Sequence, residues 1–380
     1  MNKKLLTAAI AAGLMLPGLA AADVKIFGAI QAETGTIDVD FSGATDRSVT
    51  TAGRNTGGDS GAIHGGGANA LGIKGDEKLG NGLTAYFKVN FAFSTFQNAG
   101  LAGRDAFVGV KGDGWHAQFG TMNNRYKAAS ASYDPLIATG LQSRANGGMS
   151  NLHNGYANNV GEVGFKSGAW SGGFQMKWED SSADTDAAAL GWTNNNEDSG
   201  SWSANVKYAA NNWEAGVAHT DVDYDNGVAA NGDADATKFH AKYNFGNGLA
   251  IMGQYENVDQ DTTAAAANGT LGGGNFGSGT AGAGWAGAES LDIWHVAATY
   301  ALSDATTLVA RYADSDGEDI GGVAGADADG QHWAIAVTHG LSKRTTVYGG
   351  YMANDYDFNA ASGTADRDVD AWGLGLLHKF

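Results

Sequence analysis

The sequence predicts an all-β chain: a transmembrane antiparallel β-barrel of sixteen strands, with its long third loop folded into the lumen. Three observations predict it. After residue 22, apolar and polar residues alternate in segments of about ten. Short turns alternate with long polar loops along the whole chain. Proline is nearly absent, with two against 59 glycines, as expected where nearly every backbone N–H joins a sheet ladder.

The N-terminus stands apart from this pattern. Lys3 and Lys4 precede an apolar run from Leu5 to Leu16, then Pro17-Gly18 and Ala20-Ala21-Ala22. These features describe a secretory signal over residues 1–22 with an Ala-x-Ala site, so the barrel domain is expected to run from Asp23 to Phe380. Twelve apolar residues are too few for a spanning helix, and no long apolar run follows. The formal charge of −18 becomes −20 without the two signal lysines, which argues against nucleic acid as a partner. The chain has no cysteine, which removes disulfides, thiolate metal sites and thiol nucleophiles. Its 10 Trp, 13 Tyr and 15 Phe argue for order despite the glycine content.

Strands are read from period 2. Val24, Ile26, Gly28 and Ile30 form one face opposite Lys25, Phe27 and Gln31. Leu83, Ala85, Phe87, Val89 and Phe91 alternate with Thr84, Tyr86, Lys88 and Asn90. The same holds for Trp170 to Glu179, Trp202 to Tyr208 and Lys238 to Phe245. Short turns fall near 77–82, 113–114, 167–169, 210–212, 246–248, 302–304 and 340–343. Long loops fall near 38–66, 94–102, 122–156, 180–199, 222–236, 259–289, 315–330 and 355–368. Fifteen connections make sixteen strands, with both chain ends on the short-turn rim. A sandwich or propeller would also alternate, but would not need this asymmetry of turns and loops. Aromatic residues gather toward the strand ends, among them Trp115, Trp170, Trp213 and Tyr243 at one level and Trp178, Tyr255 and Tyr312 at the other. They read as two interfacial girdles.

The third loop, 121–156, follows a hairpin closed by Gly112-Asp113-Gly114 and shows no sustained period. It carries Arg125, Lys127, Asp134 and Arg144, and Pro135 is the one proline outside the signal. Sixteen strands enclose a pore too wide to be filled by wall side chains, so this loop is expected to narrow it. Assigning the apolar alternation to lipid leaves Lys25, Lys74, Lys88, Lys166, Lys177, Lys207, Lys238, Lys242, Arg311 and Arg344 in the lumen. Glu33, Glu162, Glu179, Glu214 and Glu256 oppose them. Basic residues lead there, while the net negative charge is expected in outer loops, as in Asp221, Asp223, Asp225, Asp314, Asp316, Glu318 and Asp319. A weak preference for anions is expected, because a charged constriction acts more strongly than a screened vestibule.

Several motifs resemble those of the Gram-negative porins of the neisserial and betaproteobacterial type, over essentially the full length. They are the signal followed by Asp23-Val24-Lys25 with Gly28, the nonapeptide Arg104 to Gly112, Phe119-Gly120, and the ending Gly373 to Phe380. The resemblance implies a homotrimeric channel for small hydrophilic solutes and ions in the outer membrane. It also implies a third loop folded inward, and a C-terminal Phe380 read by the barrel-assembly machinery. Outer-membrane lipid and lipopolysaccharide are the expected surroundings. The long loop in the first strand pair departs from the pattern, and the third loop is poorer in acids than in enteric porins.

Other chemistry is weaker. Gly282 to Gly287 matches GxGxxG without a surrounding βαβ pattern. Asp221, Asp223 and Asp225 begin like a calcium loop, but Gly227 and Gly232 fall at the wrong positions. No cofactor is expected beyond divalent cations loosely bound at acidic outer loops. The nine histidines lie in no catalytic signature, which disfavours an outer-membrane enzyme. A cation-preferring or substrate-specific pore is the nearer alternative, and an adhesin the more distant one.

Overall fold

The computed structural model describes residues 23–42, 47–51, 69–93, 95, 100–144, 147–153, 156–178, 200–224, 232–260, 288–320, 323–362 and 366–380. The expected signal, Glu179, Asp225, the 282–287 motif and most of the loops read at 38–66, 180–199 and 259–289 lie outside these residues.

Strand β1 (Lys25–Phe41) opens the barrel, and the short β2 (Arg47–Thr51) folds back on its far half. Next come β3 (Ala70–Gly80), β4 (Leu83–Ala92), β5 (Ala102–Gly112) and β6 (Trp115–Met122). Beyond the third loop run β7 (Ala157–Ser167), β8 (Trp170–Lys177), β9 (Trp202–Ala210) and β10 (Trp213–Tyr224). They are followed by β11 (Gly232–Asn244), β12 (Leu249–Gln260) and β13 (Ser290–Ala301). The last four are β14 (Thr306–Glu318), β15 (Ala328–Gly340), β16 (Thr345–Phe358) and β17 (Arg367–Lys379).

From β3 onward each strand pairs antiparallel with the next, and β17 returns to β1 with Ala29 opposite Lys379 and Phe41 opposite Arg367. The first residues of β1 pair with β3, Lys25 opposite Lys74. With β2 as an accessory strand, sixteen strands close the wall. The C-terminus completes the seam: Phe380 donates its N–H to Gly28 O (3.0 Å) and accepts from Gly28 N (3.2 Å). A side chain at residue 28 would run into the Phe380 ring and Ala70 O, so the position takes glycine.

Local chemistry sets the two rims. Asn81 and Gly82 both take positive φ, 49° and 79°, the conformation that a two-residue hairpin turn requires. Six more short turns lie on the same rim. Arg344 belongs to the turn between β15 and β16, so it stands at the rim rather than on the lumen wall. At the other rim the strands run further than period 2 suggests. Asp221 and Asp223 lie within β10, and Asp314, Asp316 and Glu318 within β14, so the loop assignment of these residues is corrected. There acids take the outward positions while small or apolar residues such as Val222 and Ala313 face inward, so the polarity of the alternation inverts although the ladder continues.

The apolar residues face outward. Ile26, Val108, Val163, Phe239, Trp294, Ile335 and Leu374 are all exposed, as a lipid-facing wall requires. The buried apolar cluster lies inside, where Tyr126, Leu136, Leu141 and Leu152 of the third loop meet Ala218, Ile293, Val309, Ala334 and Met352 of the wall.

Candidate functional site

The loop enters the lumen at a β-bulge. Gly120 has φ +136°, and a Cβ there would strike Ala106 O and Phe107 Cα. The β6–β7 register shifts between Gly120 and Met122, which turns the chain inward. Asn124 then caps helix α1 (Arg125–Ser130) by accepting the N–H of Lys127 at 2.6 Å. Asp134, fully buried, accepts the N–H groups of Leu136 (3.0 Å) and Ser143 (2.5 Å) and so ties the loop to itself across Pro135. Burial pushes its carboxyl above the ordinary value.

Polar anchors hold the loop against most of the wall. On β7 and β9, Arg125 pairs with Glu162 and its N–H donates to Ser203 Oγ at 3.0 Å. On β10, Tyr133 donates to Glu214 at 2.7 Å. On β12, Glu256 accepts from the hydroxyls of Tyr126 (2.9 Å) and Ser150 (2.6 Å), and Gln254 accepts from Ser130 at 2.6 Å. On β11, Lys238 donates to His153 Nε2 at 2.8 Å, with its ammonium 4.0 Å from the Tyr126 ring centroid. On β14, Arg311 donates to Leu141 O at 2.9 Å. On β1, Glu33 accepts from Gly140 N and from Tyr348 of β16, both at 2.7 Å, and Gln31 donates to Ala138 O at 2.7 Å.

These contacts sort the expected pore residues into two groups. Lys238 and Arg311 lie beneath the loop, not on open lumen. Lys127 and Arg144 of the loop are buried or nearly so. Lys127 packs over the Tyr156 ring and Arg144 donates to His153 O at 3.0 Å. Burial holds Lys127 well below the usual lysine range and His153 well below the usual histidine range. The second group lies clear of the loop, on β3 and β4 or at the short-turn ends of β7 and β11. Lys74 and Lys88 flank the Phe27 ring, and Lys88 pairs with Asp105 at 2.5 Å. Lys166 and Lys242 are partly or fully exposed. Among the described residues no carboxylate lies within salt-bridge distance of Lys74, Lys111, Lys166 or Lys242.

Lys111, Asp105 and Asp76 belong to this wall and were not read from sequence. Lys111 sits 5.2 Å from the Tyr86 ring centroid, and Asp76 lies opposite Tyr86. The alternation Asp105, Phe107, Gly109, Lys111 could have revealed two of them, but the lumen-facing Phe107 breaks the polar pattern. Among the described residues, the lumen carboxylates Glu33, Asp105, Glu162, Glu214 and Glu256 are all engaged by the loop or by a cation, leaving Asp76 as the acid without such a partner. Among the described residues, no group of three or more His, Asp or Glu is arranged to hold a metal ion.

A sixteen-stranded barrel with an inward third loop matches the Gram-negative porin family model over residues 6–360. The chain belongs to that family. A porin of Bordetella pertussis, an outer membrane porin protein, is 30% identical over 201 residues, which span 50% of this chain and 51% of that one. The chain thus spans about half the length of the curated relative it matches. The anion-selective porin from Comamonas acidovorans superposes with a TM-score of 0.68 at 19% identity, covering 95% of this chain and 100% of that one. The trimer form of OmpT from Vibrio cholerae gives 0.58 at 15% identity, covering 95% and 100%. At these identities the structural likeness establishes the fold. The family and the Bordetella relative place this porin in the outer membrane, and a channel rather than an enzyme is what they support.

Proposed function

We propose that this porin is a general diffusion channel for small hydrophilic solutes and ions, with a weak preference for anions. One observation carries the preference. Among the described residues every lumen carboxylate except Asp76 is engaged, whereas Lys74, Lys111, Lys166 and Lys242 face open space with no carboxylate in salt-bridge distance. In a narrow passage with low-dielectric walls, such unmatched cations raise the local anion concentration. The likeness to a porin described as anion-selective supports the same reading. The outward acids at the long-loop rim lie in water, where charges beyond a Debye length of ~8 Å are screened. The test is the zero-current potential across a planar bilayer under a tenfold KCl gradient. A chloride-selective sign is expected, and a potassium-selective sign overturns the preference.

The assembly belongs to the same proposal. The trimer form of the related fold supports a homotrimer. The Phe380–Gly28 seam supports a role for Phe380 in closing the barrel, consistent with recognition by the assembly machinery. The acidic outer rim fits lipopolysaccharide bridged by loosely held divalent cations.

A further inference from the structure

We propose that the lumen carries a side pocket, beneath α1 toward the short-turn rim, that binds small phosphorylated polyols of the sugar-phosphate class. The inference rests on the anion-preferring reading and narrows it to a ligand. A cavity of about 610 Å³ opens there between the loop helix and strands β4 to β9. That is within the roughly 300–1,000 Å³ of small-molecule sites. Lys111, His116, Arg125, Lys166 and Lys207 line it, and no carboxylate does.

The charge count is specific. Arg125 is balanced by Glu162, and Lys207 by Glu214 at 3.0 Å. Lys111 and Lys166 have no such partner among the described residues, which leaves two positive charges for a ligand. A phosphomonoester carries close to two negative charges at neutral pH and presents three acceptor oxygens. The Lys111 ammonium is also positioned over the Tyr86 ring, which narrows the positions it can take.

Two further side chains point to the organic part. Ser171 and Asn205 line the cavity with a hydroxyl and an amide. Both groups can donate to and accept from the hydroxyls of a polyol. Chloride offers no donor, and inorganic phosphate supplies the charge without a polyol. Dianion plus hydroxyls is the chemistry that fits the whole lining.

The experiment records single-channel conductance of the full-length porin in 0.1 M KCl as glucose 6-phosphate is added on the short-turn side. A saturable fall in conductance is expected, with glucose producing none and inorganic phosphate half-saturating at a higher concentration. Lys111→Gln with Lys166→Gln should raise the half-saturating concentration by about tenfold, while Lys166→Arg keeps it. Asn205→Leu should remove the advantage of glucose 6-phosphate over phosphate. A conductance that changes only linearly overturns the pocket, and so does an unchanged half-saturation in the double variant. Equal potency of inorganic phosphate overturns the polyol assignment. The zero-current potential of the unmodified channel separates the two readings. With no saturation, a chloride-selective sign condemns the pocket alone, and a potassium-selective sign condemns the anion preference as well.

Discussion

Lys238 and Lys74 are both lumen-facing lysines on barrel strands, yet the structure uses them in opposite ways. Lys238 is fully buried, donates to His153 and packs on Tyr126, within reach of the Glu256 cluster. Lys74 is exposed beside Phe27 with no hydrogen bond to the loop. Strand parity is the same for both. What separates them is where the third loop lies: where it packs against β7 to β17 and β1 it converts wall charges into anchors, and over β3 to β5 and at the short-turn ends of β7 and β11 it leaves them facing solution. A charge in a pore is therefore a permeation residue only where the loop does not claim it.

The sharpest way to break this comparison is at Glu256. Glu256→Ala removes the acceptor of Tyr126, Ser150 and Gln254 together and leaves Lys238 buried without its nearby acid. Breaking a buried ionic cluster from one side costs about 3–5 kcal/mol, enough to detach the loop locally. Larger, noisier single-channel conductance and new protease cleavage between 121 and 156 are expected. If conductance and cleavage match the unmodified protein, the anchor has no such role. Lys238→Gln supplies the control: a selectivity change with a quiet channel would make it a permeation residue after all.

Acid should act on the same anchor more gently. His153 Nδ1 lies 3.5 Å from Glu256, while Nε2 accepts from Lys238, and Lys127 and Arg144 add positive charge from within the loop. Burial first, then Lys238, depresses its pKa, so the anchored histidine stays neutral while a released one titrates near 6.5. Between those values the released loop binds the extra proton. The anchoring contribution is therefore complete above about pH 6.5 and falls as pH drops below it. Conductance noise should rise from pH 7 to pH 5, and His153→Gln, which keeps an acceptor for Lys238, should flatten the profile. A variant as acid-sensitive as the parent would assign the effect to another group.

How far all this was legible follows from the same contrast. Period 2 and turn chemistry such as Asn81-Gly82 revealed the strand number, because each strand must show lipid an apolar face on its own. The loop's interior obeys no period. Tyr126, Leu141 and His153 become buried only through partners as far away as β12 and β14, and such contacts leave no local trace. Gln31, Glu33, Gln254 and Tyr348 were missed as anchors for that reason: on the strand they look like ordinary lumen polar residues. Strand ends were cut short where acids replaced apolar residues, as at Asp314 and Asp316.

On the solvent-facing arc, neutralising a single lysine should sharpen the comparison. Lys74→Gln and Lys111→Gln remove cations that hold no part of the loop. Conductance and protease resistance should persist, while the zero-current potential moves toward zero. A charge several ångströms from the ion path, partly screened, changes an anion's energy by roughly 0.5 kcal/mol, or about twofold in the chloride-to-potassium permeability ratio. An unchanged potential in both variants would mean that neither lysine faces the permeating ions.

The smallest expected effect concerns the outward acids at the long-loop rim, the counterpart of the lumen cations. Asp292 stands opposite Asp316, Asp316 opposite Asp329, and Asp329 opposite Asp357, so one row of carboxylates crosses four strands. Asp355 opposite Asp368 and Asp38 opposite Asp370 extend the pattern to the seam. Like charges directly opposite on adjacent strands are destabilising, by roughly 0.2–1 kcal/mol per pair. The row lies beyond the apolar band and makes no contact with the loop, so it should govern stability without touching selectivity. Asp316→Asn and Asp329→Asn should each raise the unfolding temperature in low salt, and adding salt should reduce the gain by screening the parent. The zero-current potential should stay where it was. A shift in that potential would show that the rim charges reach the ion path, and the division between anchoring, permeating and rim charges would then fail at its outermost member.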